Sequence, residues 1–400
     1  MRILHVIGDL SPATGGPAKA CVEMARAVAG RAHEVAIATT DFRHGAGTAL
    51  APARGVELHV FPLQRPRVWL ASWPMRRALP HLIAAADLVH IHSLYLFHSW
   101  AAGTTARRLG RPYVLRPHGT LDPFIHRRSR LRKTIMDLWF QNRVLREADL
   151  IHYTSAEEMR LAEPYVQGAP GRVVPLGLEL GEYAELPPPG TFRARHPEIG
   201  DRPILLFLGR LNFKKGLDVL IRAFALLVRQ GRDLHLVLAG PDGGMEAKAR
   251  GWIAQAGLQP RTSFTGMLSG RDKLAAFADA ALFLLPSASE NFGIAVVEAM
   301  ACGTPVVISK NVNIWREIVG DGAGVAEPVE AERFAAAAAR LLDDAEAHAR
   351  MAEAARASVR ARWDWSRVAV ELERMYADVL AGARSDEARG RQRCPFPSSS

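Results

Sequence analysis

The first half of the chain alternates between short apolar segments and longer amphipathic ones. An apolar segment at 3–7 is followed by a helical pattern over 17–29 and by a second apolar segment at 34–38. The alternation continues with apolar segments at 88–92, 113–115 and 150–153. Strands separated by helices form parallel sheets, so this pattern predicts a Rossmann-like α/β domain.

The second half repeats the alternation after a break. The sequence Leu-Pro-Pro-Pro-Gly at 186–190 cannot continue a helix or a central strand, which predicts a linker over 186–200. Beyond it, the pattern predicts strands at 203–209, 234–240, 281–285 and 305–308. We therefore expect an α/β fold with two Rossmann-like parallel-sheet domains, 1–185 and 201–362, that face a central cleft.

The last part of the chain has a different pattern. An alanine-rich stretch at 330–362 predicts helices, and the stretch from 365 to 381 predicts a last amphipathic helix. From 382 to 400 the apolar content is too low for independent folding, which predicts a disordered tail.

Length and composition predict a soluble protein of two domains, a size common among enzymes. The 400 residues are 48% hydrophobic and 23% charged, which is enough to build two cores. The apolar runs are far shorter than the roughly 18 to 20 residues that span a bilayer. Asp9 ends the first run before a signal-peptide core of about 7 residues is complete, so we expect a cytoplasmic protein.

Cysteine content and charge exclude several functions. Cys21, Cys302 and Cys394 form no Cys-x-x-Cys pair, so neither a disulfide framework nor structural zinc is predicted. The net charge of +10 suits phosphorylated ligands, an anionic membrane or nucleic acid. Because no zinc pattern or RNA-binding motif accompanies the basic residues, we expect no nucleic-acid binding.

A pair of glycines marks the first candidate site. Gly15 and Gly16 precede Pro17, which favours the first turn of a helix. Backbone N–H groups at such a helix end can bind a phosphate, although a plain tight turn explains the glycines equally well. The dinucleotide pattern Gly-x-Gly-x-x-Gly is absent, which argues against a nicotinamide cofactor.

Charged residues follow two strands of the second domain. Arg210 and Lys215 lie in the loop after its first strand and can bind a diphosphate without a metal, or simply face solvent. Glu290 precedes the start of a helix near Gly293, and Glu298 lies inside that helix. The two carboxylates can bind sugar hydroxyls, while an acid and base pair of a glycosidase has the same residue types.

A basic segment lies near the middle of the first domain. Beside it an apolar stripe of Leu131, Ile135, Leu138 and Trp139 suggests an amphipathic helix on an anionic membrane, and a solvated charged face is the alternative. The basic residues are Arg127, Arg128, Arg130, Arg132 and Lys133.

Taken in chain order, the motifs resemble one known family. The chain is similar to the retaining glycosyltransferases of family 4, also called glycosyl transferase group 1, which have the GT-B fold. The resemblance spans about residues 1–381, and the segment around His118 most resembles bacterial enzymes that build surface polysaccharides. The motifs are Gly15-Gly16, Arg116-Pro117-His118-Gly119-Thr120, Arg210 with Lys215, Glu290-x-Phe292-Gly293 with Glu298, and Gly303-Thr304-Pro305-Val306-Val307.

The resemblance implies roles for residues that bind a nucleotide-sugar donor. Arg210 and Lys215 would neutralise the departing diphosphate, Glu290 would bind hydroxyls of the sugar, and Glu298 would bind the ribose. Backbone groups of the remaining donor-binding residues would contact the diphosphate or the sugar: Gly15, Gly16, Phe292, Gly293 and Ile294. Neither a cofactor nor a divalent metal is implied, because these cations and N–H groups stabilise the developing charge.

Histidines complete the predicted site. By resemblance, His118 would lie over the anomeric centre. The position of His98, in the loop after a predicted strand, suggests that it lines an acceptor pocket. His90 and His92 face the same side of one strand, but two ligands without a third do not predict a metal site. The resemblance also implies that the last helix crosses back onto the first domain.

The resemblance implies a retaining hexosyltransferase that uses a nucleotide sugar and a saccharide acceptor. If the basic segment binds a membrane, the acceptor is expected to be lipid-linked and the protein peripheral at the inner face of the plasma membrane. Two alternatives remain open at this point. One is a nucleotide-sugar epimerase of the same fold, and the other is a sugar-binding protein that has lost catalysis.

Overall fold

A computed structural model describes residues 1–11, 15–42, 55–128, 130–166 and 168–388 of the chain. It divides the chain into two compact units. Unit 1 contains Met1–Leu176 and the chain from Ser366 onward, and unit 2 is Gly177–Trp365. Among the residues described, no helix is both long enough and apolar enough to cross a lipid bilayer.

The described part of unit 1 forms a seven-stranded parallel sheet in the order β3-β2-β1-β4-β5-β6-β7. Helices cover both faces, which is why β4 is buried along its whole length and reads as an apolar run. The strands are β1 (Arg2–Val6), β2 (Glu34–Thr40), β3 (Val56–Phe61), β4 (Leu88–His92), β5 (Tyr113–Arg116), β6 (Leu150–Tyr153) and β7 (Gly171–Val173). The helices are α1 (Gly16–Ala29), α2 (Trp73–Ala85), α3 (Phe97–Arg108), α4 (Pro123–His126), α5 (Arg130–Met136), α6 (Asn142–Arg146) and α7 (Ala156–Ala162).

Unit 2 has a six-stranded parallel sheet in the order β10-β9-β8-β11-β12-β13. The strands are β8 (Ile204–Leu208), β9 (His235–Ala239), β10 (Thr262–Gly266), β11 (Ala280–Leu285), β12 (Val306–Ser309) and β13 (Gly324–Glu327). The helices are α8 (Thr191–Arg195), α9 (Leu217–Arg229), α10 (Glu246–Gln255), α11 (Gly270–Asp279), α12 (Ile294–Cys302), α13 (Trp315–Gly320), α14 (Ala331–Asp343) and α15 (Ala345–Arg362). Two Rossmann-like parallel sheets are thus present, as the sequence predicts.

Both sheets reverse their strand order at one place. In unit 1 the reversal lies between β1 and β4, and in unit 2 between β8 and β11. Open α/β sheets bind ligands outside the carboxyl ends of the strands at such a switch point. The loops that follow these strands are therefore where each unit is expected to carry its chemistry.

The predicted linker over 186–200 is wrong, because this segment packs as part of unit 2. The Asp279 carboxylate accepts hydrogen bonds from the backbone N–H groups of Gly190, Phe192 and Arg193 at 2.6, 2.8 and 3.1 Å. Phe192 is buried, and Gly190 has the left-handed conformation that starts α8. The prolines of this segment exclude a regular strand or helix at their positions, but they do not predict its contacts. Those contacts come from Asp279, which is almost ninety residues away in the chain.

The last helix, α16, runs from Trp365 to Ala388 and packs within unit 1. Tyr376 is fully buried and its hydroxyl lies 2.8 Å from Nδ1 of His90, while Glu373 pairs with Arg31 and with His33. The helix extends past the predicted end at 381, so the prediction of disorder from 382 onward is wrong as far as Ala388. The rest of the predicted disordered tail, 389–400, lies outside the described residues.

Candidate active site

Gly15 and Gly16 form the start of α1 in unit 1. Gly15 is the N-cap with φ of 86°, and Pro17 occupies the first turn as predicted. Space is open around the position where Gly16 would carry a Cβ atom. As far as the described residues show, the start of α1 has room beside Gly16 for an anion, which a helix N-terminus favours. The preceding residues 12–14 lie outside the described part of the chain.

His118 follows β5 in a constrained turn. Both His118 and Gly119 have positive φ, 52° and 73°, an uncommon conformation for a histidine. Oε1 of the buried Glu158 accepts a hydrogen bond from the Gly119 N–H at 2.8 Å, and Nε2 of His118 lies 3.1 Å from Nδ1 of His92. The predicted catalytic histidine is thus held by contacts to α7 and β4, as strained residues at functional sites commonly are.

Beneath His118 lies a buried polar layer on one side of the sheet. His92 Nε2 lies 2.9 Å from His5 Nδ1, and the rings of His90 and His92 stack at 4.5 Å. Nη1 of the fully buried Arg116 lies 3.1 Å from Nε2 of His152, which itself lies 2.8 Å from the Val174 carbonyl oxygen. Arg116 belongs to a motif that the sequence analysis identified. No local sequence pattern predicts that His5 and His152 belong to the same buried layer.

Burial keeps these histidines neutral. It lowers the pKa of His5 to about 3, and the nearby Arg116 charge adds to that effect. The pKa values of His92 and His118 are also well below the ordinary value, through burial first and then through neighbouring positive groups. At neutral pH the layer therefore consists of uncharged imidazoles beside one buried guanidinium, whose own pKa burial lowers to about 10.

One nitrogen each of His5 and His92 and the sulfur of Cys21 lie within 4.8 Å of one another. These are ligand types that bind zinc or copper. However, Arg116 already places a positive charge beside the group, and burial raises the pKa of the Cys21 thiol. Both effects oppose a bound cation, so the geometry favours hydrogen bonding between the histidines.

The predicted position of His98 in a loop is wrong. His98 lies in the first turn of α3 and is fully buried. Its Nε2 donates to the backbone oxygen of His92 at 2.5 Å, and its ring packs on Gly8, where a Cβ atom would lie 2.8 Å from Nδ1. His98 contacts the residues at the ends of β4 and β1, and its side chain is too buried to contact an acceptor.

In unit 2, Lys215 and Glu290 form an ion pair at the switch point of the sheet. Lys215 belongs to the loop after β8 and Glu290 to the loop after β11, and both side chains are mostly buried. Gly216 lets the loops meet: its φ is 63°, and a Cβ atom there would lie 2.0 Å from the Pro286 oxygen. The two residues that sequence reasoning assigned to one donor site therefore meet in the structure.

The backbone around Glu290 is fixed from a third loop. The Glu290 N–H donates to the Asn311 oxygen at 2.9 Å, and the Glu290 oxygen accepts from the Asn313 N–H at 2.9 Å. Gly293 has φ of 78° and caps α12, directly before Ile294. Phe292 is buried and lies edge-on to Trp363. The N-terminus of α12 therefore has a defined direction beside the carboxylate.

Glu298 lies inside α12, as predicted, and is nearly fully buried. Its Oε1 accepts from Nζ of Lys273 at 2.7 Å. Burial, followed by the charge of Glu298 and a hydrogen bond to it, raises the pKa of Tyr183. Lys273 and Tyr183 were missed by sequence reasoning, since neither lies in a motif and both are distant in sequence from Glu298.

Arg210 is half-buried in the loop after β8. Its aliphatic part packs on the next loop, where a Cβ atom on Gly243 would lie 2.8 Å from Cγ of Arg210. The Lys215 side chain folds back toward the same loop start, with Nζ 3.8 Å from the Cβ position of Gly209. Both predicted diphosphate-binding cations thus lie at the carboxyl end of β8.

The basic segment of unit 1 divides into exposed and buried residues. Arg127, Arg128 and Arg132 are exposed, whereas the side chain of Arg130 is outside the described set. Lys133 is only 8% exposed, so its predicted place on the surface is wrong. Its Nζ donates to the Ile125 backbone oxygen at 3.0 Å. This hydrogen bond stabilises the turn after α4.

The predicted apolar stripe beside these cations is exposed. Leu131, Ile135, Leu138 and Trp139 are 78%, 58%, 81% and 60% exposed. Trp139 also joins an aromatic cluster that continues to α2, which sequence reasoning missed. This cluster consists of Trp69, Trp73, Phe97, Trp100 and Trp139, with neighbouring ring centroids between 5.2 and 5.9 Å apart.

Two family models match the chain, one in each half. The model described as Glycosyl transferase 4-like domain matches residues 15–178, and the model described as Glycosyl transferases group 1 matches residues 190–358. The two matches contain all the residues assigned above to the donor site.

Curated relatives match over different lengths. An alpha-D-kanosaminyltransferase from Streptomyces kanamyceticus is 34% identical over 45% of this chain and 47% of the relative. A glycogen synthase from Mycobacterium tuberculosis is 32% identical over 50% of this chain and 48% of the relative, so the match spans about half of each. A GDP-mannose:cellobiosyl-diphosphopolyprenol alpha-mannosyltransferase from Xanthomonas campestris is 28% identical over 97% of this chain and 100% of the relative.

Solved structures share the overall fold. The HepE protein of Anabaena in complex with UDP superposes with a TM-score of 0.78 at 20% identity, covering 94% of this chain and 100% of that chain. Sucrose-phosphate synthase from Thermosynechococcus elongatus gives a TM-score of 0.75 at 21% identity, covering 96% and 100%.

Proposed function

Because the chain belongs to the group 1 glycosyltransferases of family 4 and has the GT-B fold, we propose that it transfers a hexose from a nucleotide sugar to a lipid-linked saccharide, with retention of anomeric configuration. The observation that carries the proposal is the pairing of Lys215 with Glu290 at the switch point of unit 2. This pairing supports the proposal, because a lysine can neutralise a diphosphate and a neighbouring carboxylate can accept hydrogen bonds from sugar hydroxyls.

The proposed reaction uses the cations of unit 2 in place of a metal. The bond from the anomeric carbon to the phosphate oxygen breaks, and a bond to the acceptor oxygen forms on the same face of the sugar. The acceptor proton passes to the departing phosphate oxygen, so no separate base is required. Lys215 and Arg210 stabilise the negative charge that develops on the diphosphate, and Glu298 binds the ribose.

Relatives supply the first substrates to test. The mannosyltransferase that matches nearly the whole chain is named for GDP-mannose and a cellobiosyl-diphosphopolyprenol, and HepE is solved with UDP-glucose. We therefore place GDP-mannose and UDP-glucose first as donors, and a diphosphopolyprenol-linked saccharide first as acceptor. A product of this type belongs to the synthesis of a surface or extracellular polysaccharide.

The exposed stripe of unit 1 supports binding to an anionic membrane. Four large apolar side chains of one helical segment face solvent, and Arg127, Arg128 and Arg132 lie beside them. Through the aromatic cluster the surface continues to α2, where Arg76 lies over the Trp100 ring at 4.7 Å. Cations of this kind each contribute about 1 kcal/mol near an anionic surface. The protein would then work in the cytoplasm, at the inner face of the plasma membrane.

Vesicle flotation tests the membrane proposal. Wild-type protein should float with phosphatidylcholine vesicles that contain phosphatidylglycerol, and added salt should weaken the binding. Leu138→Asp should abolish flotation, whereas Val319→Asp, at an exposed apolar position of unit 2, should not. Equal binding to vesicles with and without phosphatidylglycerol, or no binding at all, would contradict the proposal.

A transfer assay tests the reaction. With donor and lipid-linked acceptor, nucleoside diphosphate should be released only when acceptor is present, and the rate should survive a metal chelator. The coupling constant of the anomeric proton of the product should show the configuration of the donor. Inverted product would contradict retention, a lost rate with chelator would contradict metal independence, and interconversion of nucleotide sugars without acceptor would indicate an epimerase.

A further inference from the structure

The loop between β3 and α2 of unit 1 exposes apolar side chains next to arginines. Val68 in this loop is 72% exposed, and Trp73 at the start of α2 is 41% exposed. The sequence between Glu57 and Asp87 contains no acidic residue, so no neighbour in the chain offsets the positive charges. Four arginines of this segment are exposed: Arg65, Arg67, Arg76 and Arg77. The segment therefore combines apolar and cationic groups on one surface.

Hydrogen bonds at its base hold this loop in an ordered conformation. The Gln64 N–H donates to the Ala71 oxygen at 2.7 Å, and Oε1 of Gln64 accepts from the Trp73 N–H at 3.2 Å. Between these contacts, Val68 lies in a short 3-10 turn over Arg67–Trp69. The exposure of Val68 is therefore a property of a closed loop whose two ends are bonded to each other.

The arginines of the loop are not neutralised within the described part of the chain. Cζ of Arg76 lies 5.5 Å from the ring centroid of Trp73 and 4.7 Å from that of Trp100. Such cation–π contacts orient a guanidinium and leave its charge in place. The other three arginines form no ion pair with any described residue: Arg65, Arg67 and Arg77. All four charges can therefore act on an anionic partner.

The loop is continuous with the exposed apolar stripe of the basic segment. The ring of Trp69, at the end of the 3-10 turn, lies 5.3 Å from that of Trp139, which belongs to the stripe. Trp69 and Trp73 both meet Phe97 edge-on at 5.2 Å. Phe97 begins α3 directly after β4, and the His118 turn follows the parallel neighbour β5. The joined surface therefore lies at the edge of the sheet where β4 and β5 end.

An anionic bilayer is the partner that this surface fits. Neither 58–86 nor 123–136 contains an acidic residue, so two neighbouring segments carry charge of one sign. A leaflet rich in anionic lipid offers a continuous plane of negative charge above its hydrocarbon. Indole rings are enriched at this interface, because they combine a large apolar body with a polar N–H group.

We propose that residues 65–77 form a second lipid-binding segment, which contacts an anionic bilayer together with the basic segment. Two separate contacts prevent unit 1 from rotating about a single anchor, so the edge of its sheet where β4 and β5 end faces the lipid. A lipid-linked acceptor then reaches this edge without leaving the bilayer. The second contact rests on the membrane binding proposed above, and it adds the orientation of unit 1 on the membrane.

A fluorescent probe at single positions of the full-length chain tests this orientation. The environment-sensitive dye nitrobenzoxadiazole is attached to Val68→Cys in a chain with Cys394→Ser, since Cys21 and Cys302 are buried. Its emission should shift to the blue when phosphatidylcholine vesicles that contain phosphatidylglycerol are added. Leu109→Cys is the matched control, because Leu109 is also exposed but follows the opposite end of α3. The emission of a probe there should not change.

Flotation of the unlabelled chain with the same vesicles measures the contribution of the arginines. Arg65→Ala combined with Arg67→Ala should weaken binding about twenty-fivefold, because each cation near the surface contributes about fivefold, or about 1 kcal/mol. Arg108→Ala, in the last turn of α3, should change binding by less than about twofold.

The outcomes separate the second contact from the membrane proposal itself. If Leu138→Asp abolishes flotation while the double arginine variant binds like wild type, the second contact is wrong and the membrane proposal stands. The same conclusion follows if probes at Val68 and Leu109 respond equally. If the wild-type chain does not bind these vesicles, both proposals are wrong.

Discussion

The two units share one sheet topology and use opposite chemistry at their switch points. In unit 1 the side chains at the strand ends are neutral imidazoles stacked beneath His118. In unit 2 the loops after β8 and β11 bring together a charged pair, Lys215 with Glu290, and a second charged pair, Lys273 with Glu298, joins α11 to α12. A parallel sheet supplies the position of the site, and the residues after each strand decide which ligand group it can bind.

Under the proposed function, the charged groups of unit 2 suit the diphosphate of a nucleotide sugar, because the cations Arg210 and Lys215 and the N-terminus of α12 can each bind an anion. An uncharged, buried imidazole, as found in unit 1, can direct a hydrogen bond at a neutral oxygen without attracting counterions. Each unit can therefore be disabled by a different change.

Removal of the unit 2 cation is expected to have the largest effect. Lys215→Ala should lower kcat/KM at least about a hundredfold, because the departing diphosphate loses a preorganised positive charge. Glu290→Ala should cause a comparable loss, and neither variant should shift Tm by more than a few degrees. Arg222→Ala removes an exposed cation of α9 that pairs with Asp218, and it should leave the rate unchanged. A Lys215→Ala rate within threefold of wild type would place the site elsewhere.

On acidification, unit 1 should unfold at a higher pH than unit 2. The folded pKa of His5 is about 3 and that of His98 about 4, both below the unfolded value of 6.5, so the unfolded state binds more protons in this window. Stability is therefore complete above pH 6.5 and falls as the pH decreases toward 4. At pH 5, protonation of the unfolded state lowers the free energy of unfolding by about 2 kcal/mol for His5 and by a similar amount for His98.

Unit 2 provides the control for this pH effect. Among the described residues, unit 2 buries one histidine, His235, whose pKa burial lowers to about 4. The described part of unit 1 buries five: His5, His90, His92, His98 and His152. Amide hydrogen exchange followed from pH 7 to pH 4.5 should show the β strands of unit 1 opening at a higher pH than those of unit 2. Simultaneous opening, or earlier opening of unit 2, would contradict the assigned charge states.

A smaller effect is expected from the second ion pair of unit 2. Lys273→Met removes the partner of a buried carboxylate, so Glu298 should lose its fixed orientation. Because Tyr183 still contacts Glu298, we expect about a tenfold rise in KM for the donor with a smaller change in kcat. Lys273→Arg should recover most of the affinity. An unchanged KM in Lys273→Met would show that Glu298 does not contact the nucleotide.

Local patterns predicted the fold and much of the candidate site. The strand periodicity located both sheets, and Lys215 and Glu290 were identifiable because each follows a strand and precedes a glycine at a helix start. The GT-B fold also followed from the resemblance. These features depend on residues close together in the chain, so a single sequence contains them.

The features that the sequence did not predict depend on contacts between residues far apart in the chain. Asp279 captures the backbone of a segment that reads as a linker, and Lys273 reaches Glu298 from another helix. The sequence predicts Lys133 as part of a charged surface, but in the folded protein its Nζ bonds to the backbone oxygen of Ile125. The sequence around His5 indicates only an apolar strand, because the partner of His5, His92, lies 87 residues away in the chain. No periodicity or motif can report such pairs, because the contact exists only after folding.

The most direct measurement is a thermal-shift panel of nucleoside diphosphates and nucleotide sugars, run with wild type and Lys215→Ala. A ligand of the folded state at a hundredfold excess over its Kd stabilises it by about 2.7 kcal/mol. In wild type, Tm should rise with one nucleoside diphosphate and its nucleotide sugar, and in Lys215→Ala the rise should be much smaller. No shift with any nucleotide, or an equal shift in both proteins, would contradict a nucleotide-sugar site at Lys215 and Glu290.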